Sequence, residues 1–382
     1  MRLERVKNLN TEMLNIKPDS IGYKIMKDKT QILGFKIDGL KLQAMQILKQ
    51  DAISVGAELV TPRDAILCEK KSYDCLLFGS LKSLKLLSLK MQRQPFGLKS
   101  LSRELRAFIQ TKINDKKSHK KSVMSIINVE SNSFYKEFSV KDAIEKIHSD
   151  IELGADIIDI GAASSRPNAD IIESKIEIKR LNLIFKEVSK IKTNTQFSID
   201  TYNAETADIA LNSGFNIIND ISGNVESMSQ ILKKYPKSSY ILMHIRGNPK
   251  TMQNDTHYEN LLLEIDKYFE EKLRFLHAQK INNVILDVGI GFGKSAEQNV
   301  ELIAKLRHFK HFRKPLLMGL SHKSFLGKIL GSEKDSRLIA SVIADFIALM
   351  NGADIIRTHD LKEHLEMLKI YEAFEMEDCD LM

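Results

Sequence analysis

The sequence is poor in cysteine and contains neither tryptophan nor a long apolar run. Its three cysteines, Cys68, Cys75 and Cys379, show no CxxC spacing, so we expect neither a disulfide framework nor a zinc site. A membrane-spanning helix needs a run of about 18 consecutive apolar residues, and the sequence contains no run of that length. The start, MRLERVKNLN, lacks the apolar core of a secretory signal. From these absences we expect a cytoplasmic protein with no membrane partner.

The net charge of +7 is unevenly distributed along the chain. The first 121 residues hold 25 of the 57 basic and 12 of the 50 acidic residues, a charge of +13, whereas the remainder carries −6. Such an excess can attract nucleic acid. The basic residues are scattered, however, and no aromatic residues are interleaved with them for base stacking. We interpret them as a solvated surface and expect no nucleic-acid partner.

The length of 382 residues exceeds the roughly 250–300 residues that one core usually supports, so the sequence predicts two domains. The polar, lysine-rich stretch 116–121 is typical of a linker. Before it, residues 1–115 predict a small basic α/β domain that carries no catalytic motif. Its predicted elements are strands at 31–38, 58–68 and 73–80 and helices at 41–56, 81–94 and 100–110.

Residues 122–382 show a different pattern, in which eight short apolar runs alternate with longer amphipathic segments. The runs lie at 123–129, 156–161, 197–200, 216–221, 240–245, 283–288, 315–320 and 354–359. Strands rich in Val, Ile and Leu that alternate with helices indicate a parallel sheet covered on both faces. Eight units in about 240–250 residues predict a (β/α)8 barrel. The alternative, an open doubly wound sheet, normally has a glycine-rich turn after its first strand, where this sequence has Asn128-Val129-Glu130.

Polar side chains follow nearly every predicted barrel strand. They are Asn128, Asp159, Asp200, Asn219, Asp220, His244, Arg246, Asp287, Ser321, Lys323, Arg357 and His359. In a barrel of this type the carboxyl ends of the strands meet on one rim, where such enzymes place their chemistry. The sequence therefore predicts an active site on that rim.

One group on the rim suits a flat heterocycle edged with NH2, ring N–H and C=O groups. Its polar members are Asp200, Asn219, Asp287 and Lys323, and its apolar wall is Met243, Phe292 and Ile221. Carboxylates accept from N–H groups, an amide both donates and accepts, and a lysine donates to a carbonyl. The glycine-rich 289–295 lacks P-loop spacing and is interpreted as a turn that places the phenylalanine at the pocket. The alternative for this group is a set of Asp–Lys salt bridges at the barrel mouth.

A second group, Asn128, Arg357 and His359, comes from the first and eighth predicted strands, which are neighbours once a barrel closes. Arginine grips phosphate oxygens through paired N–H bonds, and histidine can donate to a phosphate near neutral pH. An asparagine carbonyl can bind Mg²⁺, which bridges phosphates. We therefore predict an anion beside the heterocycle. The alternative is a structural pair of Arg357 with Asp354 or Asp360.

Six motifs, in the correct order, resemble those of the dihydropteroate synthase family over about residues 122–360. They are SIDTYNAE (198–205), IINDISG (217–223), LMHIRGNPKTMQ (242–253), ILDVGIGFGKS (285–295), MGLSHKSFLG (318–327) and IIRTHD (355–360). The resemblance implies an enzyme of folate biosynthesis that joins 6-hydroxymethyl-7,8-dihydropterin pyrophosphate to 4-aminobenzoate and releases pyrophosphate. It also implies Mg²⁺ as cofactor, a homodimer formed through barrel helices, and a target of sulfonamides.

The resemblance also implies a role for each matching residue. The pterin would contact Asp200, Asn219, Met243, Asp287, Phe292 and Lys323, and the pyrophosphate would contact Asn128, Arg357 and His359, with Asn128 also on the metal. The aminobenzoate would contact Ser165, Arg166 and Ser324, the last at a helix N-terminus that favours anions. Asp200, Lys323, Arg357 and His359 are the expected catalytic residues.

Two loop motifs depart from the family pattern. The family's Asn-Val-Thr-Pro-Asp-Ser-Phe reads NVESNSF at 128–134, and its Gly-Gly-Glu-Ser-Thr-Arg-Pro reads GAASSRP at 161–167. Val288 and His322 also replace a proline and an arginine. We expect an active enzyme with an altered lid over the aminobenzoate. A pterin-dependent methyltransferase is an alternative, although no Asp-x-His-x-x-Gly motif is present. The divergent first loop leaves a non-catalytic pterin-binding protein as another.

Overall fold

The computed structural model describes residues 9–114, 120–129, 140–162, 172–247, 256–331 and 337–376. The chain divides into two compact units, Met1–Lys117 with Phe374–Met382, and Ser118–Ala373. Each has its own hydrophobic core. Of the predicted linker 116–121, residues 116–119 lie outside the described residues. Across the described ranges, no helix combines the length and apolarity that crossing a membrane requires.

The N-terminal unit is a three-stranded antiparallel sheet with helices. Its elements are α1 (Leu9–Ile16), α2 (Ser20–Lys27), β1 (Ile32–Lys41), α3 (Leu42–Ile53), β2 (Ala57–Val60), β3 (Ser72–Ser80), α4 (Leu81–Met91) and α5 (Leu98–Asn114). The strand order is β1–β3–β2. Along β3 every second residue is buried, so Tyr73, Cys75 and Leu77 share one core with α3, α4 and α5. The predicted small α/β character of this region is confirmed.

The predicted strand over 58–68 is wrong in its second half. The strand β2 ends at Val60, and Arg63–Leu67 form a 3-10 helix that follows Pro62. Proline lacks the backbone N–H that a further ladder bond needs, so the strand cannot continue through it. The helices α1 and α2 were not predicted, because a segment of eight residues is too short to establish a helical period.

The second unit is a closed eight-stranded parallel barrel with helices between its strands. Its elements are β4 (Ser122–Asn128), α6 (Val140–Leu153), β5 (Ile157–Gly161), α7 (Ser174–Val188), β6 (Gln196–Asp200), α8 (Ala204–Asn212), β7 (Ile217–Asp220), α9 (Val225–Lys234), β8 (Ser239–Met243), α10 (Leu261–Ala278), β9 (Val284–Asp287), α11 (Ala296–Ala304), a 3-10 helix (Leu306–Phe312), β10 (Leu316–Met318), α12 (Ser324–Leu330), α13 (Arg337–Met350), β11 (Ile355–Thr358) and α14 (Leu361–Met376). The first strand, β4, pairs with β5 and with the last strand, β11, which closes the barrel. The predicted (β/α)8 fold is confirmed, and the open-sheet alternative is excluded.

The period of the strands explains how the barrel positions a polar site. One interior layer is mostly apolar: seven strands contribute Met124, Ile157, Ile217, Ile241, Ile285, Leu317 and Ile355, and β6 contributes Ser198. Residues two positions further along a strand face the same side. On five of these strands those residues are Asp159, Asn219, Met243, Asp287 and Arg357. This layer therefore lies directly below Asp159, Asn219, Asp287 and Arg357, and it supports these polar side chains from inside the barrel.

Candidate active site

Arg357 of β11 connects two carboxylates on neighbouring strands. Its Nε donates to Asp159 Oδ2 at 2.6 Å, and a terminal guanidinium nitrogen donates to Asp200 Oδ2 at 2.8 Å. Asp159 is fully buried and Asp200 is 7% exposed. Burial lowers the pKa of Arg357, but the two carboxylates raise that pKa by more, so the guanidinium stays charged. The heterocycle group and the anion group, predicted as separate sets, are thus joined by one ion pair.

The alternative partners considered for Arg357 are occupied elsewhere. Asp354 pairs with Lys310 at 2.5 Å and with Lys121 at 3.2 Å, and Asp360 accepts from His322 at 2.8 Å. The arginine therefore reaches across the barrel rather than to its neighbours in sequence. Two buried carboxylates need a cation, and this is the contact that supplies it.

Asp159 is a site residue that the sequence reasoning missed. It was recognised only as one of the polar strand ends and received no role. Its Oδ2 also accepts from Asn219 Nδ2 at 2.9 Å, while its buried Oδ1 accepts no hydrogen bond from the described residues. Asp159 therefore orients both the arginine and the asparagine of the site. Its place at a strand end was the one feature that pointed to it.

Three ionisable groups of the rim have shifted pKa values. Burial raises the pKa of Asp200 to about 7, although Arg357 opposes the shift. Burial also raises the pKa of Asp287, against the hydrogen bond that Gly289 N–H donates to it at 2.7 Å. Burial lowers the pKa of Lys323 to about 8, against the charge of Asp287. Small changes of environment can therefore switch the charge of Asp200 and Lys323 near neutral pH.

An apolar wall lies beside these charges. Ile221, Met243, Ile245 and Phe292 form one buried cluster, with Tyr202 packed against it. The Lys323 ammonium lies 4.5 Å from the centroid of the Phe292 ring, a cation–π contact. Gly291 has φ +82°, a conformation that favours glycine, and it lies next to the Lys323 side chain. The structure thus brings together the predicted wall and the predicted lysine.

Lys294 and His244 form a buried hydrogen-bonded pair, and the sequence reasoning gave this pair no role in the site. The Lys294 ammonium contacts the carbonyl oxygens of Gly289 and Phe292 at 3.0 and 2.9 Å, and His244 Nδ1 at 3.0 Å. Burial lowers the pKa of Lys294 to about 7, and burial with the Lys294 charge keeps the pKa of His244 well below its usual value. His244, predicted on the rim, is instead 4% exposed beneath the glycine turn. The position of Lys294 directly after the glycine-rich turn was the feature of the sequence that could have identified it.

The predicted anion residues lie at the ends of two adjacent strands. Asn128 ends β4 and is half-buried, and its side chain makes no hydrogen bond with the other described residues. Arg357 lies within β11, and the exposed His359 follows it, with its backbone N–H donating to Ser321 Oγ at 3.3 Å. Ser324 is the exposed first residue of α12, next to Lys323.

The predicted aminobenzoate residues Ser165 and Arg166 lie outside the described residues, as does the divergent first-loop stretch 130–134. The described part of the rim offers carboxylate acceptors, two cationic donors and an apolar face. That combination can hold a flat polar heterocycle with an anion next to it.

Comparison with known proteins agrees with this chemistry. Residues 124–359 match the profile of a family described as pterin binding enzyme. The sequence is 42% identical to the bifunctional dihydropteroate synthase/dihydropteroate reductase of Helicobacter pylori, over 98% of this chain and all of that protein. It is 36% identical to dihydropteroate synthase of Escherichia coli, over 66% of this chain and 90% of that one. A crystal structure of Yersinia pestis dihydropteroate synthase with a sulfonamide drug complex is 32% identical, with a TM-score of 0.62 over 67% of this chain and 95% of that chain.

Proposed function

The chain belongs to the dihydropteroate synthase family of pterin-binding enzymes, and we propose that the barrel rim around Arg357 is its catalytic site. It condenses 6-hydroxymethyl-7,8-dihydropterin pyrophosphate with 4-aminobenzoate to give 7,8-dihydropteroate and pyrophosphate in folate biosynthesis. The observation that carries the proposal for the site is the ion pair of Arg357 with Asp159 and Asp200, set beside Lys323 and the apolar wall.

The pterin lies, in this proposal, between the carboxylates and the apolar wall. Asp200 and Asp287 accept hydrogen bonds from its amino and ring N–H groups, and Lys323 donates to its carbonyl oxygen. Asn219, held by Asp159 at 2.9 Å, adds an amide that can donate and accept. Met243 and Phe292 cover the flat faces of the ring. Because every polar group is buried or half-buried, a ligand that left one of them unpaired would bind much more weakly.

The pyrophosphate lies at the ends of β4 and β11, against Arg357, His359 and Asn128. The residues fit Mg²⁺, because the Asn128 amide oxygen is a hard donor that makes no hydrogen bond with the other described residues. Asn128 would hold the ion together with phosphate oxygens and water. When bound, Mg²⁺ supplies additional positive charge to the leaving pyrophosphate.

In the reaction the bond between the pterin methylene carbon and the pyrophosphate oxygen breaks, and a bond from the arylamine nitrogen forms. Arg357 and His359 stabilise the charge that develops on the leaving pyrophosphate. The ionised Asp200 stabilises the electron-poor pterin methylene. After attack the arylamine nitrogen releases its proton to water or to the departing pyrophosphate, and no covalent intermediate with the protein is needed. The chain contributes positioning and preorganised charge rather than a nucleophile.

The aminobenzoate is assigned to Ser324, Ser165 and Arg166. Support comes from the position of Ser324, which is exposed and adjacent to Lys323 at the start of α12. We expect sulfonamides to compete with aminobenzoate, as their complex with the Yersinia pestis enzyme suggests. Ser324→Ala should raise the KM for aminobenzoate and leave that for pterin pyrophosphate unchanged.

The test of the proposed site combines both substrates with purified protein, with and without Mg²⁺, and follows dihydropteroate. The wild type should form product only slowly after Mg²⁺ is chelated, and Asp200→Asn should form almost none. If the protein binds pterin pyrophosphate but forms no dihydropteroate, the non-catalytic alternative is correct. Product formation at the wild-type rate by Asp200→Asn would overturn the assigned site.

We propose that the homodimer forms through α13 and α14. Three isoleucines spaced four residues apart on α13, Ile339, Ile343 and Ile347, are 71%, 55% and 41% exposed. With Ile370 of α14 they line an apolar groove. An exposed apolar stripe of this kind favours an identical partner, because two copies can cover each other about a twofold axis. Ile343→Glu should give a monomer in sedimentation, whereas Ile176→Glu on α7 should not. A monomeric wild type would contradict the proposal.

A second activity, dihydropteroate reductase, is proposed because the Helicobacter pylori protein named for both activities matches 98% of this chain, including its N-terminal unit. Reduction of dihydropteroate needs a hydride donor. The test supplies dihydropteroate with NADPH or NADH, with and without flavin, and detects tetrahydropteroate by mass spectrometry. Absence of the reduced product under every condition would refute this activity without affecting the synthase.

The cytoplasmic location stays a prediction, and so does the expectation that no nucleic acid is bound. Cys68 and Cys75 are free thiols, which is consistent with a reducing compartment. A gel shift with the full chain that weakens steeply with salt would show that the basic N-terminal region binds nucleic acid after all.

A further inference from the structure

Asp266, His308 and His311 form a cluster that has no part in the proposed active site. Asp266 lies on α10, and the two histidines lie on the 3-10 helix that precedes β10. One carboxylate oxygen and one ring nitrogen from each histidine all lie within 4.8 Å of one another. The three side chains are 12%, 21% and 12% exposed. The group is thus compact and largely, but not completely, closed to solvent.

The hydrogen bonding of His311 determines which of its nitrogens faces the cluster. Its Nδ1 lies 2.7 Å from the backbone carbonyl oxygen of His308. Because a carbonyl can only accept, Nδ1 carries the proton, and in the neutral ring Nε2 holds the lone pair. A backbone carbonyl on the far nitrogen is how proteins commonly orient a metal-binding histidine. His311 Nε2 lies 3.7 Å from Asp266 Oδ1, which is too far for a good hydrogen bond.

The two oxygens of Asp266 differ in how they are satisfied. Oδ2 is 2.6 Å from His308 Nε2. Oδ1 is buried and accepts no hydrogen bond from the described residues, although Asp266 as a whole is 8% exposed. A buried carboxylate oxygen without a donor is costly. A simple Asp266–His308 ion pair explains the first oxygen but not the second. A cation held between Asp266 Oδ1 and His311 Nε2, which lie 3.7 Å apart, would satisfy the buried carboxylate oxygen.

We propose that Asp266, His308 and His311 bind a divalent transition metal, of which zinc, cobalt and nickel are the matching class. Two imidazoles and one carboxylate form a donor set that these ions accept, with water completing the coordination. Mg²⁺ prefers oxygen donors alone and is not expected here. The metal would tie α10 to the segment that leads into β10, the strand before Lys323. It is distinct from the Mg²⁺ proposed at Asn128.

The test uses the full chain, stripped with a chelator and dialysed against Zn²⁺ in a large excess of Mg²⁺, which saturates the oxygen-rich active site. Retained zinc is measured by elemental analysis, and Co²⁺ is titrated while its visible absorption reports nitrogen ligation. The wild type should retain one equivalent more zinc than His311→Gln, which lacks one of the three protein ligands. Zn²⁺ should raise the Tm of the wild type and not that of His311→Gln.

His311→Gln is the informative variant because it leaves the hydrogen bond between His308 and Asp266 in place. The matched control is His148→Gln, an exposed histidine that lies 3.2 Å from Glu187 and should retain zinc like the wild type. Asp266→Asn and His308→Gln should lose zinc as well, and if one of them fails to fold the other still tests the site. Wild-type protein without retained zinc, or equal retention by His311→Gln and His148→Gln, would overturn the proposal.

Discussion

The two units of the chain differ most in what they bury. Among the described residues of the N-terminal unit, the buried polar side chains are three serines, Ser83, Ser88 and Ser102. The barrel buries many ionisable groups, namely Lys121, Asp150, Asp159, Glu177, Asp200, Asp220, His244, Asp266, Lys294, Asp345, Asp354 and His364. Burying a charge costs free energy unless the charge is paired with an opposite charge or binds a ligand. The contrast shows that, among the described residues, the buried ionisable groups that could serve the proposed chemistry lie in the barrel.

The barrel itself contains buried charges of two kinds. Asp354 lies just before β11, at the amino ends of the strands, and accepts from Lys121, Lys310 and the backbone N–H of Leu316. Asp200, at a carboxyl end, has one arginine partner and a pKa of about 7. Fully paired charge at the amino ends stabilises the fold, whereas incompletely paired charge at the carboxyl ends is available for substrate.

The largest expected effect comes from removing the central cation. Arg357→Leu should lower kcat/KM by about 10³-fold, because it removes preorganised charge at the leaving group. It should also destabilise the protein by about 3–5 kcal/mol, since Asp159 and Asp200 would be left buried without a partner. Steady-state kinetics and denaturant unfolding measure the two effects. Arg63→Gln, at an exposed position of the N-terminal unit, is the control, and a similar loss in both variants would break the comparison between the units.

Lys323→Gln should lower kcat/KM by about 10²-fold, mainly through a higher KM for pterin pyrophosphate. The glutamine keeps a donor but loses the charge that offsets Asp287 and Asp200. Substrate titrations at saturating aminobenzoate separate KM from kcat. Lys82→Gln, an exposed lysine of the N-terminal unit, should change neither. A fall in kcat alone would show that Lys323 acts on the chemical step and not on pterin binding.

The pH profile of kcat/KM for pterin pyrophosphate should be bell-shaped. Asp200 must be ionised, so activity falls as the pH drops through about 7, and Lys323 must be protonated, so activity falls as the pH rises through about 8. Beyond each limb the loss should be about 10-fold per pH unit. Lys323→Gln should lose the basic limb and keep the acidic one. A profile in which both limbs persist in that variant would disprove the assignment.

Lys294→Met should lower kcat/KM by about 10-fold. The amine is buried and donates to the carbonyls of Gly289 and Phe292, so its loss removes one donor from each, and the Gly289 carbonyl keeps only the backbone N–H of Phe292. Leaving the Phe292 carbonyl without this donor should cost about 1–3 kcal/mol. Because Lys294 is a positioning residue, the change should appear in the KM for pterin pyrophosphate. Lys305→Met, an exposed lysine near the end of α11, is the control. Equal KM values in the two variants would remove Lys294 from the site.

The smallest effect is expected from the surface of the N-terminal unit. The exposed pair of Lys70 with Asp64, at 2.7 Å, should contribute little to the free energy of unfolding, because water and salt screen it. Lys70→Gln should leave synthase kinetics within about 2-fold of the wild type. A large loss of synthase activity would mean that the unit takes part in that reaction, and the division of roles would have to be abandoned.

Much of this molecule was determined by the sequence alone. Apolar runs of strand length, separated by helical segments, predicted the barrel, and strand ends such as Asp200, Asn219 and Asp287 marked the rim. These features are local, because the period of side chains along a strand does not depend on distant residues. Local patterns failed where segments were short, as in α1, α2 and the 3-10 helix at Arg63–Leu67.

Only the tertiary structure decided how the charges are paired. Arg357 reaches carboxylates 157 and 198 residues away in sequence, Asp200 and Asp159. Burial then brings the pKa values of Asp200 and Lys323 to about 7 and about 8. The same holds for His244 beneath the glycine turn and for His311 opposite Asp266, 45 residues earlier in the chain. The pairing and the desolvation of these charges depend on which residues the fold brings together, and the local pattern of the sequence does not show this.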